Sequence, residues 1–374
     1  MIEWSQTQIK AFRKTLLDWY DAHGRDLPWR RDHDPYHVWI SEIMLQQTQV
    51  QTVIPYYERF MATFPTVEAL AEADEAVLMK AWEGLGYYSR ARNLQRAAKQ
   101  LVEDYHGVWP QTVDGLKALS GIGPYTAGAI ASIAFDQPVP AVDGNAFRVF
   151  ARLLKIDADI AQPKTRQLFE QVISRIIDPQ RPGDFNQAIM DLGSSYMTAK
   201  QPDSANSPVK AFNQAYLDGV EERYPVKAKK PRPVKQYFYG LVIQHDQQFL
   251  MQQRPSNGLL ANFWTFPLVA QEEALKLSET PELVTPEEQL QLVEQLVQQS
   301  YGLTVHVVPM GGRPVTHTFT HRQWHVTLLN ATLDKDADLS YFPGKWLSRD
   351  ELAQIALPKL QEKLFNRIDS ITKA

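Results

Sequence analysis

The sequence predicts an α+β fold in two domains, a helical domain followed by a smaller domain that combines strands with helices. Apolar residues recur at helical spacing through residues 1–223 and change to the alternating spacing of strands in residues 236–374. Between them, residues 224–235 (YPVKAKKPRPVK) contain five basic side chains, three prolines and no acidic residue. Such a composition is typical of an extended linker, and 374 residues are enough for two separate cores.

Helices are expected throughout the first domain. The first follows Ser5, has Ile9, Phe12 and Leu16 on one face, and ends at Gly24. The same periodicity predicts further helices at 38–60, 76–88, 91–105, 125–135 and 145–154.

The second domain shows patterns rich in Val, Thr and aromatic residues, which predict strands at 238–243, 249–253, 303–308 and 324–333. Helices are predicted at 287–300 and 351–368, the second with a capping-box signature formed by Ser348 and Glu351. His317, His321 and His325 are spaced four apart, but their neighbours predict a strand and argue against a helical metal-binding face.

Composition excludes several kinds of site. The sequence contains no cysteine, which rules out disulfides, thiolate zinc sites, cysteine nucleophiles and clusters held by cysteine. The formal net charge of −4 argues against a protein that coats nucleic acid regardless of sequence, although a local phosphate-binding face remains compatible with it. We find no signal-peptide core and no apolar stretch near the roughly 18 residues of a membrane span, so we expect a cytoplasmic protein.

The sharpest local signal is the sequence LSGIGPYTAG at 119–128. Gly121 and Gly123 predict a tight hairpin that leads into a helix rich in Ala and Ile, where unobstructed backbone N–H groups can hold a phosphate. This is the helix-hairpin-helix pattern of DNA-binding proteins. By itself a Gly-x-Gly turn between helices is a weak signal, so a purely structural turn stays open.

Two carboxylates have unlike surroundings. Glu42 lies among apolar residues in VWISEIML (38–45), and desolvation raises a carboxyl pKa toward the value that a general acid needs. Asp143 immediately precedes a helical pattern, and such a pair matches the division of labour in glycoside cleavage. The ordinary alternatives are a glutamate on a polar helix face beside Ser41 and Gln46, and an aspartate that caps a helix.

Together these segments resemble the adenine DNA glycosylase family of the MutY type, within the endonuclease III-like helix-hairpin-helix superfamily. The resemblance covers almost the whole chain and rests on LPW (27–29), PY (35–36), Trp39, Ser41-Glu42, MLQQTQ (44–49), GLGYYSRARN (84–93), the hairpin, VDGN (142–145) and FNQA (185–188). It implies a base-excision repair enzyme that removes adenine mispaired with 8-oxoguanine or guanine in double-stranded DNA. It also implies a helical glycosylase domain at 1–223, the linker at 224–235 and a Nudix-like lesion-recognition domain at 236–374.

Carried over residue by residue, the resemblance assigns roles to individual side chains. It makes Glu42 the acid that protonates adenine N7 and Asp143 the carboxylate facing the oxocarbenium-like sugar, both supported by hydrogen bonds from Tyr125 and Asn145. It lines the adenine pocket with Arg25, Arg30, Leu45 and Gln187. Around the lesion it places Gln47, Thr48, Leu85 and Tyr87, with Tyr87 as a wedge that offsets part of the cost of unstacking a flipped base.

The sequence departs from the superfamily where a [4Fe–4S] cluster is usually bound. The superfamily pattern C-x6-C-x2-C-x5-C falls on Met197, Ser204, Ser207 and Asn213, so we expect no cluster and no other cofactor. A cation at the backbone carbonyls of the hairpin stays open. The loop 196–213 must then hold its shape by packing and hydrogen bonds, with Met197 and Phe212 as apolar anchors.

The second domain resembles the Nudix-like domain of the same enzymes but lacks the residues of a magnesium site. Nudix hydrolases bind the metal through R-E-x2-E-E-x-G, and alignment on Gly302 puts Gln295, Leu296, Gln299 and Ser300 at those positions. Pyrophosphate hydrolysis is therefore not expected. We expect this domain to read the lesion strand through Phe319-Thr320-His321, where the family more often has Phe-Ser-His, although Thr320 could equally be a strand residue packed against His321.

Three other functions compete with this interpretation. A glycosylase that is also a lyase needs a lysine in the hairpin, and Tyr125 occupies that position. A non-catalytic hairpin protein does not account for Glu42 and Asp143, and a nucleotide-pool hydrolase lacks its carboxylates. We expect a monofunctional, monomeric glycosylase associated with the nucleoid and not with a membrane. The linker stays open between a solvated spacer and a DNA-contacting strap.

Overall fold

The computed structural model describes residues 3–228, 232–334 and 337–372, which form two structural units. The first unit comprises Met1–Ala81 and Tyr87–Lys230, and the second comprises Trp82–Gly86 and Pro231–Ala374. Among the residues described, a run of helices forms the first unit, and a sheet with four α-helices forms most of the second. This order confirms the predicted α+β class.

The first unit packs its helices around an apolar core that includes the fully buried Phe12, Leu16, Phe150 and Phe185. In chain order the helices are α1 (Gln6–His23), α2 (Pro35–Leu45), α3 (Val50–Thr63), α4 (Val67–Glu72), α5 (Glu75–Ala81), α6 (Ser89–Glu103), α7 (Val113–Lys117), α8 (Pro124–Phe135), α9 (Gly144–Leu154), α10 (Pro163–Ile176), α11 (Pro182–Ser195) and α12 (Gln214–Leu217). Short 3-10 turns lie at Pro28–Arg30, Lys210–Phe212 and Glu221–Arg223.

Helix α1 begins and ends where its sequence predicts. The Ser5 hydroxyl accepts a hydrogen bond from the Gln8 N–H at 3.3 Å, and the Gln8 side chain accepts one from the Ser5 N–H at 2.9 Å, forming a complete capping box. At the other end, the Gly24 N–H donates to the Tyr20 carbonyl at 2.7 Å. Local hydrogen bonds therefore mark both ends of this helix and satisfy part of their polar groups.

The prediction of one continuous helix at 38–60 is wrong, because two helices, α2 and α3, meet at a turn. Gln47 in this turn has a φ of +61°, which a helix cannot accommodate. The Arg90 guanidinium donates to the carbonyls of Ile43 and Gln46, each at 2.7 Å. A side chain from α6 thus binds the carbonyls that continued helix would have used.

Two other predicted helices are shorter than expected. The helix predicted at 76–88 ends at Ala81, and a turn with φ values of +96° at Gly84 and +68° at Gly86 follows it. The helix predicted at 351–368 divides into α15 (Arg349–Gln354) and α16 (Lys359–Thr372), because the residue before Pro358 is disfavoured from helical geometry. Helices α10 and α11 lie outside the predicted segments.

The second unit is built on one mixed sheet. Its strands are β1 (Val234–His245), β2 (Gln248–Gln253), β3 (Trp264–Thr265), β4 (Leu268–Ala270), β5 (Val305–Pro309), β6 (Val315–Thr318), β7 (Arg322–Leu333) and β8 (Gly344–Ser348). The path of the sheet is β3-β2-β1-β7-β5, with β4 beside β1, β6 beside β7 and β8 beside β2. Strands β1 and β7 are parallel, with Val234 opposite Arg322, and the other pairs are antiparallel.

Alternation along β1 gives this sheet two apolar faces. Leu241 and Ile243 share one cluster with Val293 and Val297 of α14 (Pro286–Tyr301). Val242 shares the other cluster with residues of α16 that include Leu364. A fourth helix, α13 (Gln271–Leu275), follows β4. The predicted capping box of Ser348 and Glu351 is present at the start of α15, which is confirmed by hydrogen bonds in both directions.

The expected linker is shorter than 224–235 where the structure describes it. The Tyr224 hydroxyl donates to Asp157 at 2.8 Å, and the Val226 carbonyl accepts from the Ile160 N–H at 3.0 Å, so this end packs on the first unit. At the other end, Val234 already belongs to β1. Residues 229–231 of the expected linker lie outside the described residues.

The three spaced histidines lie on a β-hairpin. His317 in β6 and His325 in β7 lie in strands, as predicted, whereas His321 belongs to the connection between the two strands. Within the described residues, no cluster of three or more His, Asp or Glu side chains could hold a metal ion. None of the described helices combines the length and the apolar character needed to cross a bilayer.

Candidate active site

A groove in the first unit brings most of the predicted site residues together. The cavity measures about 1140 Å³, and twelve of those residues line it: Arg25, Arg30, Glu42, Leu45, Gln47, Thr48, Gly121, Gly123, Tyr125, Asp143, Asn145 and Gln187. Leu85, Tyr87 and Thr320 are not among its lining residues. The groove is therefore built by the C-terminal end of α2, the N-terminal ends of α8 and α9, one face of α11 and the 3-10 turn at Pro28–Arg30.

Glu42 lies on the buried side of α2, only 5% exposed, which excludes the alternative of a solvated polar face. The Tyr125 hydroxyl donates a hydrogen bond to its Oε2. Burial raises the pKa of the Glu42 carboxyl to about 7, an effect opposed by the Tyr125 hydrogen bond and by Arg30 and reinforced by Asp143. A carboxyl with such a pKa can hold a proton for donation near neutral pH.

Tyr125 reaches Glu42 because of its place in α8. Gly123 is the N-cap of this helix and Pro124 its first residue, so Tyr125 is fixed one residue inside the helix, directly after the hairpin. Burial, followed by the charge of Glu42, raises the pKa of the phenol well above its usual value. The phenol is therefore a neutral hydrogen-bond donor at working pH.

Asp143 is both a helix cap and a fixed carboxylate. Its Oδ1 accepts from the Ala146 N–H at 2.8 Å, which makes it the N-cap of α9, and its Oδ2 accepts from the Asn145 amide at 2.6 Å. Burial raises its pKa, while these hydrogen bonds and Arg148 oppose the rise. Polar donors thus bind both oxygens of this carboxylate, whereas Glu42 receives its hydrogen bond from the Tyr125 hydroxyl.

Arg148 links this carboxylate to the loop at 196–213. Its Nη2 donates to the Asn145 side-chain oxygen and to the Gly193 carbonyl, and its Nε donates to the Met197 carbonyl at 2.9 Å. Asn145 is therefore oriented by Arg148 on one side and donates to Asp143 on the other.

Sequence reasoning missed Asp191, which organises the two arginines of the groove. Its side chain is 3% exposed and binds both Arg25 and Arg30. The available signal was its spacing, because Asp191 follows Gln187 by one turn of α11 and so shares its helix face. Burial alone would raise the Asp191 pKa, but the two arginines hold it below the usual value.

The hairpin has the backbone that its glycines predict. Gly121 has a φ of +75°, and a Cβ there would lie 2.6 Å from the Asn93 Cβ. Gly123 has an ordinary φ of −88°, and a Cβ there would meet nothing within 4 Å. The first glycine is required by conformation, and the second leaves the start of α8 open to a ligand.

Two further basic residues line the groove, Arg166 of α10 and Lys227. Lys227 belongs to the basic segment 224–235, so part of the expected linker borders the groove. Arg166 donates to the Val142 carbonyl, and its guanidinium lies over the Phe147 ring. Both add positive charge to a groove that already holds Arg25 and Arg30.

The four positions of the superfamily's cluster ligands are buried side chains, of which Met197 packs in the apolar core and the other three form hydrogen bonds. Met197, Ser204, Ser207 and Asn213 are at most 2% exposed. The Asn213 amide donates to the Ser204 hydroxyl at 3.1 Å, and the Ser207 hydroxyl accepts from the Val209 N–H at 3.4 Å. A thioether, two hydroxyls and an amide do not supply the thiolates that a [4Fe–4S] cluster requires, so this donor set does not fit the cluster.

The expected anchors of this loop are confirmed. Met197 is fully buried in the core of the first unit, and Phe212 packs against that core with its ring 5.5 Å from the ring of Phe12. The Asn213 side chain also caps α12 by accepting from the Tyr216 N–H at 3.2 Å.

In the second unit, the positions aligned with Nudix ligands lie on α14. They carry amides, an aliphatic chain and a hydroxyl: Gln295, Gln299, Leu296 and Ser300. The nearby carboxylate of Glu294 accepts a hydrogen bond from the Val307 N–H at 2.8 Å and so fastens α14 to β5. Thr320 lies in the exposed connection between β6 and β7, outside both strands.

Two family models match the chain. Residues 40–175 match the HhH-GPD superfamily of base excision DNA repair proteins, and residues 238–367 match the NUDIX domain. Among its relatives, the adenine DNA glycosylase of Homo sapiens is 35% identical and covers 96% of this chain and 74% of its own length. The adenine DNA glycosylase of Schizosaccharomyces pombe is 31% identical, and the match covers 99% of this chain and 92% of the length of that protein.

Solved structures agree on the helical fold. A thermostable thymine-DNA glycosylase matches 57% of this chain and 98% of its own, with a TM-score of 0.51 and 24% identity. The structure of an endonuclease III–DNA complex matches 58% of this chain and 99% of its own chain, with a TM-score of 0.50 and 20% identity.

Proposed function

Because this chain belongs to the adenine DNA glycosylase family, we propose that the adenine it excises is the one mispaired with 8-oxoguanine or guanine in double-stranded DNA. Adenine excision follows from the family, and the identity of the opposing base is our proposal. We further propose a glycosylase domain at 1–223 and a Nudix-like lesion-recognition domain at 236–374, joined by a linker within 224–235 whose two ends pack as described above.

The observation that carries the mechanism is the pair of unlike carboxylates in one groove. Glu42, with a pKa near 7, protonates adenine N7 and so turns the base into a better leaving group. Asp143, held by Asn145 and by the start of α9, stabilises the positive charge that develops on the sugar. Tyr125 orients Glu42 by donating to one of its oxygens, which leaves the other free for the base.

The remaining groove residues hold the flipped nucleotide. Arg25, Arg30, Leu45 and Gln187 form the adenine pocket, and the glycine hairpin binds a phosphate beside it. Gln47, Thr48, Leu85 and Tyr87 fill the space around the lesion. The half-exposed ring of Tyr87, with the Arg90 guanidinium 5.6 Å from its centre, supports its use as a wedge.

We assign recognition of the lesion to the second unit and to Thr320 in particular. Its exposure at the tip of the β6–β7 hairpin leaves the hydroxyl accessible. That hydroxyl can accept from the N7–H that distinguishes 8-oxoguanine from guanine.

The enzyme is a monofunctional glycosylase that needs no iron–sulfur cluster. Schiff-base chemistry needs an amine, and a phenol stands at position 125. Lys117, the lysine nearest in sequence, donates to Asp114 at 2.9 Å. We also propose that the protein is monomeric and acts in the cytoplasm on nucleoid DNA.

A duplex labelled on the adenine strand tests these points. Duplexes with A opposite 8-oxoguanine, guanine or thymine are incubated with the protein and divided into samples with and without alkali. We expect strand cleavage only after alkali, fastest for A:8-oxoguanine and absent for A:T. Cleavage without alkali would indicate a lyase, and hydrolysis of an oxidised nucleoside triphosphate in a parallel sample would indicate a pool hydrolase.

A further inference from the structure

Asp191, whose side chain is buried, binds both arginines that line the groove near it, the mostly buried Arg30 and the partly exposed Arg25. Its Oδ1 accepts from Arg25 Nε at 2.8 Å and Arg30 Nη2 at 3.0 Å, and its Oδ2 accepts from Arg30 Nη1 at 2.8 Å and the Arg25 backbone N–H at 3.3 Å. Arg25 Nη2 also donates to Oδ1. Both carboxylate oxygens are therefore saturated by the two arginines, and neither is available for a substrate.

Arg30 binds Asp191 and lines the same groove as Glu42. Its side chain is 10% exposed, and its charge is the smallest of the effects that act on the raised pKa of Glu42, opposing the rise. The hydrogen bonds of its guanidinium nevertheless go to Asp191. The other groups that face Arg30 and Glu42 are Tyr20, 5.8 Å from the Arg30 guanidinium, together with Tyr125 and Asp143.

We propose that Asp191 is a positioning residue that holds Arg25 and Arg30 as a fixed wall of the adenine pocket and keeps Arg30 from pairing with Glu42. An arginine that paired with Glu42 would stabilise its carboxylate and remove the proton needed for N7. Because Asp191 binds Arg30, that arginine does not pair with the Glu42 carboxylate, and Glu42 keeps its proton. The inference rests on the role of Glu42 proposed above.

The test is the pH dependence of single-turnover excision in Asp191→Asn. Excision requires protonated Glu42, so the wild-type rate falls as pH rises through the Glu42 pKa. In the variant, Arg30 is free to turn to Glu42, which lowers that pKa and moves the alkaline limb down by about one pH unit. At pH 8 the rate then falls about tenfold relative to wild type, and the two rates converge at acidic pH. A purely structural role would lower the rate by the same factor at every pH.

Two further variants keep the outcome decisive. Arg30→Gln removes the cation that lowers the Glu42 pKa, so its limb should move upward, opposite to that of Asp191→Asn. Asp21→Asn is the matched control, because Asp21 also pairs with an arginine, Arg181, at a half-exposed position outside the groove lining, and its limb should not move. If the alkaline limb of the pH–rate profile stays at its wild-type pH in both Asp191→Asn and Arg30→Gln, the inference is overturned. Glu42→Gln separates this from the mechanism, because excision by that variant would overturn the role of Glu42 itself.

Discussion

At the scale of single residues, Glu42 combines a chemical task with an energetic cost. We expect Glu42→Gln to lose at least about 10²–10⁴-fold in single-turnover excision, because an amide has no proton to give to N7. Binding to a duplex that carries an uncleavable adenine analogue should stay within a few-fold, because the shape of the side chain is kept. Glu58→Gln, on the exposed face of α3, is the control. Excision by Glu42→Gln within tenfold of wild type would refute the assignment.

The raised pKa of Glu42 also makes stability depend on pH. Its folded pKa of about 7 exceeds the ordinary 4.5, so the folded protein binds more protons and loses stability as pH rises between these values. Glutamine does not titrate, so the free energy of unfolding of Glu42→Gln should rise relative to that of wild type as pH increases across this range. At pH 8 this relative increase should be on the order of 3 kcal/mol. Urea unfolding at pH 4 and pH 8 measures it. An equal difference at both pH values would contradict the shift.

Thr320 offers a separate test of lesion reading. We expect Thr320→Val to reduce the preference for A:8-oxoguanine over A:G by about fivefold, the value of one hydrogen bond. Thr316→Val is the matched control, because Thr316 is also exposed and lies on β6 of the same hairpin. An unchanged preference in Thr320→Val would show that another group reads the lesion.

Asp191 shows why part of this site escaped prediction. Glu42 and Asp143 attract attention by their unusual neighbours in sequence, whereas Asp191 lies in an ordinary helical pattern. Its function depends on Arg25 and Arg30, which are more than 150 residues distant along the chain. Only the packing of α11 against the start of the chain brings the three together.

At the scale of elements, the two glycines of the hairpin before α8 have different roles: Gly121 allows the backbone conformation of the turn, and Gly123 leaves space for a ligand at the start of the helix. Gly121→Ala should lower the free energy of unfolding by about 1–3 kcal/mol, because alanine resists a positive φ and its Cβ would meet Asn93. Gly123→Ala should leave stability unchanged within about 0.5 kcal/mol and still weaken DNA binding, since its Cβ would project into open space where a phosphate approaches. Thermal unfolding and duplex titration measure both. Normal stability in Gly121→Ala would contradict the first prediction, and normal affinity in Gly123→Ala the second.

The breaks between helices were the least predictable elements. Apolar residues at helical spacing recur on both sides of the polar residues 46–49, and the turn between α2 and α3 depends on Arg90, which comes from a distant helix. The starts of α1 and α15 were predictable, because their capping residues act within three positions. Local chemistry is readable from sequence, whereas a boundary imposed by another element is not.

At the scale of the whole molecule, the protein should be independent of iron. We expect the purified protein to be colourless and its excision rate to be unaffected by iron chelators or by air. The buried hydrogen bonds of Ser204, Ser207 and Asn213 stand where the superfamily binds its cluster. Iron and sulfide analysis with an absorption spectrum is the measurement. Stoichiometric iron and sulfide in active protein would contradict the expectation.

The loop at 196–213 also determines how this part of the protein responds to oxidants. Peroxide attacks thiolates first and then accessible thioethers. This sequence has no cysteine, and the thioether of Met197 in the loop is fully sealed from solvent. The damage that creates 8-oxoguanine is itself an oxidation of DNA. We therefore expect peroxide to leave the Met197 side chain unmodified and the hydrogen bond from Arg148 to the Met197 carbonyl intact.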